Sequence, residues 1–282
     1  MELLSVKGLT KHYKSFTLNN ISFSLEKGYI MGFIGRNGAG KTTTLKSILR
    51  LVRPDGGSVE VCGMDFAENE TACKQQLGVV FGEFDHYKKK PLRVITEVYK
   101  RFYSDWDDGV YRGYMEQFEL DDSKLVDELS SGMRVKFALA LALSHDARLL
   151  ILDEPTSGLD PVSRDELLEI FQTIIEDGEH SILFSTHITS DLEKCADFIT
   201  YIKDGELVIS TTHMELLDSY RAVKGTEEQI SDDIRTKLIG VRRNKFSFDA
   251  LIRSEDAELA AGAGLQVSPA DLETIMLHIE KE

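Results

Sequence analysis

Two stretches of this 282-residue chain hold residue types at spacings that do chemistry. The first, GRNGAGKTT from Gly35 to Thr43, fits G-x-x-x-x-G-K-[ST] in full. Gly38 and Gly40 let backbone N–H groups approach phosphate oxygens, a helix N-terminus adds positive potential, and Lys41 supplies a mobile point charge at the β and γ phosphates. Thr42 is placed to put its hydroxyl on Mg²⁺. The loop formed by Gly35, Asn37, Gly38, Ala39, Gly40, Lys41, Thr42 and Thr43 reads as a nucleoside triphosphate site.

The second stretch, LLILDEPTSGLD from 149 to 160, runs four aliphatic residues straight into Asp153 and Glu154. A strand that apolar belongs inside the protein, so two carboxylates at its mouth need compensation. A divalent cation and water supply it. Asp153 is the metal ligand, directly or through water. Glu154, one residue further, is placed to orient the attacking water or take its proton.

Regular elements must hold these groups. YIMGFIG (29–35) reads as a buried strand before the glycine-rich turn, and TTLKSILRLV as the apolar-periodic helix after it. Pro54-Asp55-Gly56-Gly57 marks a turn, SVEVCG and QLGVVF are further strands, and 92–146 is helical in pattern and rich in charge. RLLILD and SILFSTH are continuous apolar strands of the kind covered on both faces in a parallel sheet. The order predicts an α/β fold, a P-loop NTPase core with a mostly parallel sheet and a helical insertion at about 84–146. Domains are expected at 1–213 and 214–282.

Composition narrows the partners. Against 33 Lys and Arg stand 48 Asp and Glu, a formal charge of -15, which speaks against a nucleic-acid face. The basic clusters Lys88–Lys90 and Arg242-Arg243 are short. Cys62, Cys73 and Cys195 form no C-x-x-C pair, so neither a disulfide framework nor a zinc site is expected and a reducing cytosol is the natural home. No stretch reaches the roughly 18 apolar residues of a membrane span, and the start at Glu2 predicts no signal peptide. A role at a membrane must come through a partner.

These residues carry a resemblance: the chain resembles the ATP-binding subunit of an ABC transporter over about residues 1 to 212. LSSGMRVKFALALAL (129–143) is similar to that family's signature, SGLD (157–160) to its D-loop, and FSTH, ending at His187, to its switch histidine. Tyr13 falls where the family stacks an aromatic ring on adenine. The resemblance implies an antiparallel β subdomain beside the core, His187 at the terminal phosphate, and ATP as the nucleotide. It also implies that the signature residues Ser130 and Gly132 close on a second subunit's ATP, and that Asp160 of the D-loop belongs to the nucleotide site. Each motif occurs once, so a homodimer or a heterodimer with a related subunit is expected, driving a separate membrane-spanning permease from the cytoplasmic face of the cell membrane, with export as the direction. The rival class is a soluble ABC-type ATPase switch in assembly or repair, whose members usually carry two cassettes or a long coiled coil, neither of which is present.

Departures fall in two places. Ser131 and Met133 replace a glycine and a glutamine of the signature. In VVFGEFDHY the family's metal-sensing glutamine is missing: Gly82 holds its position and Glu83 follows, with water in the metal's empty position favoured over Glu83. In the tail, SPADLETIMLHIEKE predicts a helix with Ser268 as N-cap, Pro269 at the first helical position and Asp271 at N3. The tail as a whole is expected to be a small α+β extension that aids dimer contacts or simply packs.

Overall fold

The computed structural model describes residues 1–81 and 87–281. Gly82 and Glu83 lie outside the described residues. The chain divides into two compact units, Met1–Ser210 and Thr211–Glu282.

In the first unit, β1 (Glu2–His12) and β2 (Thr17–Glu26) pair antiparallel, and β3 (Ile30–Ile34) enters a separate sheet. The glycine-rich turn follows and opens α1 (Lys41–Ile48). β4 (Gly56–Val61) and β5 (Met64–Asp65) return to the first sheet, whose order is β2-β1-β4-β5. Next come α2 (Glu70–Gln75), β6 (Leu77–Phe81), and the helical segment with α3 (Leu92–Tyr99), α4 (Asp108–Gln117) and α5 (Ser131–Leu143). The chain then alternates through β7 (Leu149–Asp153), α6 (Pro161–Ile175), β8 (Ser181–Thr186), α7 (Thr189–Cys195), β9 (Phe198–Lys203) and β10 (Glu206–Thr212).

The second sheet has the order β10-β9-β3-β8-β7-β6, with β9, β3, β8, β7 and β6 running parallel. All five residues of β3 and all six of β8 are buried, as expected for strands covered on both faces. The core lies between the two sheets: Leu4, Val6 and Phe23 meet Met31, Phe33, Ile151 and Leu183, with the Phe23 and Phe33 rings stacked at 5.7 Å. Parallel strands put their carboxyl ends on one edge. Register pairs Ile34 with Thr186 and Asp153 with Ser185, so the loops after β3, β8 and β7 open side by side. Ligand crevices in such sheets lie outside those carboxyl ends.

The second unit holds α8 (His213–Ser219), β11 (Tyr220–Gly225), α9 (Asp232–Arg235), β12 (Ile239–Arg243), β13 (Phe248–Arg253), α10 (Ala257–Gly262), β14 (Gln266–Pro269) and α11 (Leu272–Ile279). Its antiparallel sheet has the order β12-β13-β11-β14 around Val223, Phe248, Ala250 and Ile252. One expectation is corrected here. Asp271, not Ser268, caps the last helix, its carboxylate accepting the Thr274 N–H at 2.8 Å. Ser268 and Pro269 belong to edge strand β14, opposite Ala222 and Arg221, because Pro is tolerated where a strand's outer N–H has no partner to lose.

No helix is long and apolar enough to cross a membrane among the described residues.

Candidate nucleotide site

The turn after β3 is built by glycines where side chains do not fit. Gly40 has φ 115°, and a Cβ there would lie 2.8 Å from Phe16 Cζ; at Gly35 it would lie 2.4 Å from the Ile202 carbonyl oxygen. The turn therefore wraps closely and brings Lys41 back over its own start. Lys41 Nζ donates to the carbonyls of Gly35 at 2.7 Å and Arg36 at 3.4 Å, and lies 3.1 Å from Glu154 Oε1. Only 6% of the Lys41 side chain is exposed, so its charge is confined to this turn and not spread into solvent.

Glu154 reaches Lys41 from the end of β7 in a left-handed backbone conformation, φ 51°. Such a conformation is strained for a residue with a Cβ and marks sites where geometry is held by surrounding structure. What holds it is β8: the Glu154 N–H donates to the Ser185 hydroxyl at 3.0 Å and to the Ser185 carbonyl at 3.1 Å. The other carboxylate oxygen of Glu154 is 2.8 Å from His187 Nδ1. Asp153 is tied down on both oxygens, accepting from Ser185 Oγ at 2.6 Å and from Thr42 Oγ1 at 2.8 Å. One carboxylate and one hydroxyl, both hard oxygen donors, fit Mg²⁺, which keeps several of its own waters.

Beside these groups lies a cavity of about 580 Å³, open to solvent, whose lining includes Thr42 but not its partner Asp153. Asn37, Gly38, Gly40, Lys41, Thr42 and Thr43 line one side, Glu154 and His187 another, and Tyr13 a third. Tyr13 is 45% exposed, a ring face available for stacking, with Lys11 Nζ 5.8 Å from its centroid. Gly35 and Ala39 do not line the cavity. Gly35 serves through its carbonyl, and Ala39 is buried, its N–H on the Arg36 carbonyl and its own carbonyl accepting from the Gly205 N–H.

Ser130, Gly132 and Asp160 do not line it either. They form a second group. Ser130 caps α5, its hydroxyl accepting from the Met133 N–H at 3.2 Å. Asp160 caps α6, accepting from the N–H groups of Val162 and Ser163. The Ser163 hydroxyl, 2.6 Å away, and these N–H groups hold the Asp160 carboxyl below the usual carboxylate range. A Cβ on Gly132 would fall 3.6 Å from Ser163 Cβ, so the two helix starts are neighbours.

The ABC transporter family model matches residues 18–157. The chain is 31% identical over 240 residues to the bacitracin transport ATP-binding protein BcrA of Bacillus licheniformis, spanning 84% of this chain and 78% of that one. It is 33% identical over 224 residues to the Nod factor export ATP-binding protein I of Burkholderia orbicola (strain AU 1054), spanning 77% and 73%. A solved ATP-binding subunit of an ABC transporter superposes with a TM-score of 0.69 at 27% identity, covering 76% of this chain and 91% of that one. The chain belongs to the ABC transporter ATP-binding family. It is an ABC ATP-binding subunit and an ATPase.

The structure of the ABC cassette also brings to the site residues not singled out in the sequence. Ser185 donates to the Asp153 carboxylate and accepts from the Glu154 N–H, and its signal was present: a serine directly after the apolar ILF run of the fully buried SILFST strand, two residues before the histidine. Phe16, Arg36 and Ser157 also line the cavity, Arg36 from within the glycine-rich turn and Ser157 from the start of SGLD, while Phe16 belongs to no motif.

Proposed function

We propose that this ATPase works as one half of a pair, with a second copy or a related subunit, and that the pair drives export through a separate membrane-spanning permease at the cytoplasmic face of the membrane. One observation carries the reading. Ser130, Gly132 and Asp160 gather at two neighbouring helix starts but do not line the cavity bounded by Lys41 and Glu154. A helix N-terminus with a serine and glycine is an anion site, and it has a use only if another chain presents the phosphates. Export is supported by the relative named for Nod factor export.

In this reading Tyr13 stacks on adenine, the N–H groups of the Gly38–Thr43 turn hold the phosphates, and Lys41 shares its charge with them. Mg²⁺, held by Thr42 and Asp153, would neutralise phosphate charge. Glu154 orients the attacking water and takes its proton, and His187 holds Glu154 and meets the terminal phosphate.

Glu154→Gln tests the pairing, because it keeps the shape of the site and removes the base. With MgATP the variant should double in mass by light scattering and hydrolyse at least ~100-fold more slowly, the scale of lost acid-base catalysis. Adding Gly132→Asp, a carboxylate aimed at a partner's phosphate, should return it to the monomer mass. A Glu154→Gln protein that stays monomeric with saturating ATP overturns the pairing with a second copy, and failure to pair also when co-expressed with a related ATPase subunit overturns the pairing altogether. Co-purification with a protein of several membrane spans tests the permease.

A further inference from the structure

Beside the tie between Glu154 and His187 lies a second, buried one that the reading above does not use. Asp191, on α7 four residues after His187, is only 1% exposed. Its Oδ2 accepts from the Thr156 hydroxyl at 2.6 Å, and Thr156, two residues after Glu154, is fully buried. Its Oδ1 lies 3.9 Å from Arg164 Nε on α6, an atom with no hydrogen-bond partner among the described residues. Arg164 also reaches the Leu159 carbonyl at 3.5 Å. A carboxylate this deeply buried is costly unless paired and hydrogen-bonded. Burial pushes the Asp191 carboxyl up, opposed by the Thr156 hydrogen bond and then by the charges of Arg164, Lys194 and His187.

We infer that Asp191 is a positioning residue for hydrolysis: it fixes the loop from Glu154 to Asp160 against the helix that follows His187. The inference rests on the assignment of Glu154 and His187 in the preceding section. The outer tie, Glu154 to His187, must loosen when phosphates compete for both side chains. The inner tie is shielded from solvent, and neither Thr156 nor Asp191 lines the cavity. It therefore keeps the two loops in register while the outer tie exchanges. Through Arg164 it also holds Leu159, next to Asp160, so the segment offered to a second subunit moves with the histidine.

Thr156→Val keeps the shape and burial of the side chain and removes the hydrogen bond, and Thr156→Ser restores it. ATP affinity by calorimetry should stay within about two-fold for both. The kcat of Thr156→Val should fall at least ~10-fold, on the scale of a misplaced catalytic group, and Thr156→Ser should recover most of it. Asp191→Asn, which keeps an oxygen for Thr156 but loses the charge beside Arg164, should lower kcat with KM little changed. Wild-type kcat in a folded Thr156→Val overturns the inference, as does an equal loss of ATP affinity, which marks general damage to the fold. A fully active Glu154→Gln removes instead the assignment of Glu154. An inactive Glu154→Gln beside an unimpaired Thr156→Val removes only the role of Asp191.

Discussion

Lys41 and Glu154 face one another at 3.1 Å in the cavity, where, among the described residues, Glu154 is the only carboxylate in the lining and Lys41 and Arg36 are its only Lys or Arg side chains. Each occupies the position where phosphate charge is to be handled, and each is held there by backbone: Lys41 by two carbonyls, Glu154 by Ser185. The pair makes the first prediction asymmetric. Lys41→Ala removes the point charge on the phosphates and leaves Glu154 to repel them. ATP binding should fall below detection in calorimetry, and normal affinity would show that the turn is not the phosphate site.

Gly40→Ala should damage the turn from within. The added methyl meets Phe16, which lines the cavity, and the backbone at φ 115° is unfavourable for any Cβ. A cost of about 1–3 kcal/mol is expected. Tm should drop and ATP affinity should fall at least ~10-fold by the same energy scale. An unchanged melting curve would mean that the loop relaxes freely.

His145 predicts an acid sensitivity away from the site. Its ring is 2% exposed, stacks on Tyr103 at 3.6 Å, and neither nitrogen has a hydrogen-bond partner among the described residues. Burial pushes its pKa from 6.5 down to about 4. Between those values the unfolded chain binds a proton that the folded ring refuses, so stability is lost as pH falls. At about 1.4 kcal/mol per pH unit, urea unfolding of the wild type should lose about 2 kcal/mol more than His145→Phe between pH 7 and pH 5. Equal losses would rule out His145 as the source.

Removing the second unit should spare nucleotide binding. Every residue lining the cavity precedes residue 188, and a chain cut after Thr212 keeps β10 whole. ATP affinity should stay within about three-fold of the full chain, well under 1 kcal/mol. A folded truncation unable to bind ATP would make the second unit part of the site.

What was legible in the sequence follows from how each feature is encoded. The phosphate turn is local: its chemistry lies within nine consecutive residues, and its strand and helix are adjacent in the chain. Asp153 and Glu154 announce themselves because acids at the end of an apolar strand are expensive. Ser185 and the pairing of Thr156 with Asp191 are non-local, created when β7 and β8 lie side by side, so no spacing rule displays them. The second unit was the least legible. Edge strand β14 is short and largely exposed, without apolar alternation, and Ser268-Pro269 imitates a helix start because the same polar and ring-locked residues also suit an edge strand's end.

The left-handed backbone of Glu154 sets stability against activity. A glycine at this position would relax the φ of 51° and should stabilise the fold by about 1 kcal/mol, the usual penalty for a side chain in that region, while discarding the carboxylate. A library of variants screened for thermal resistance alone should therefore collect inactive Glu154→Gly proteins. On this expectation the sturdiest form of this protein is not its working form.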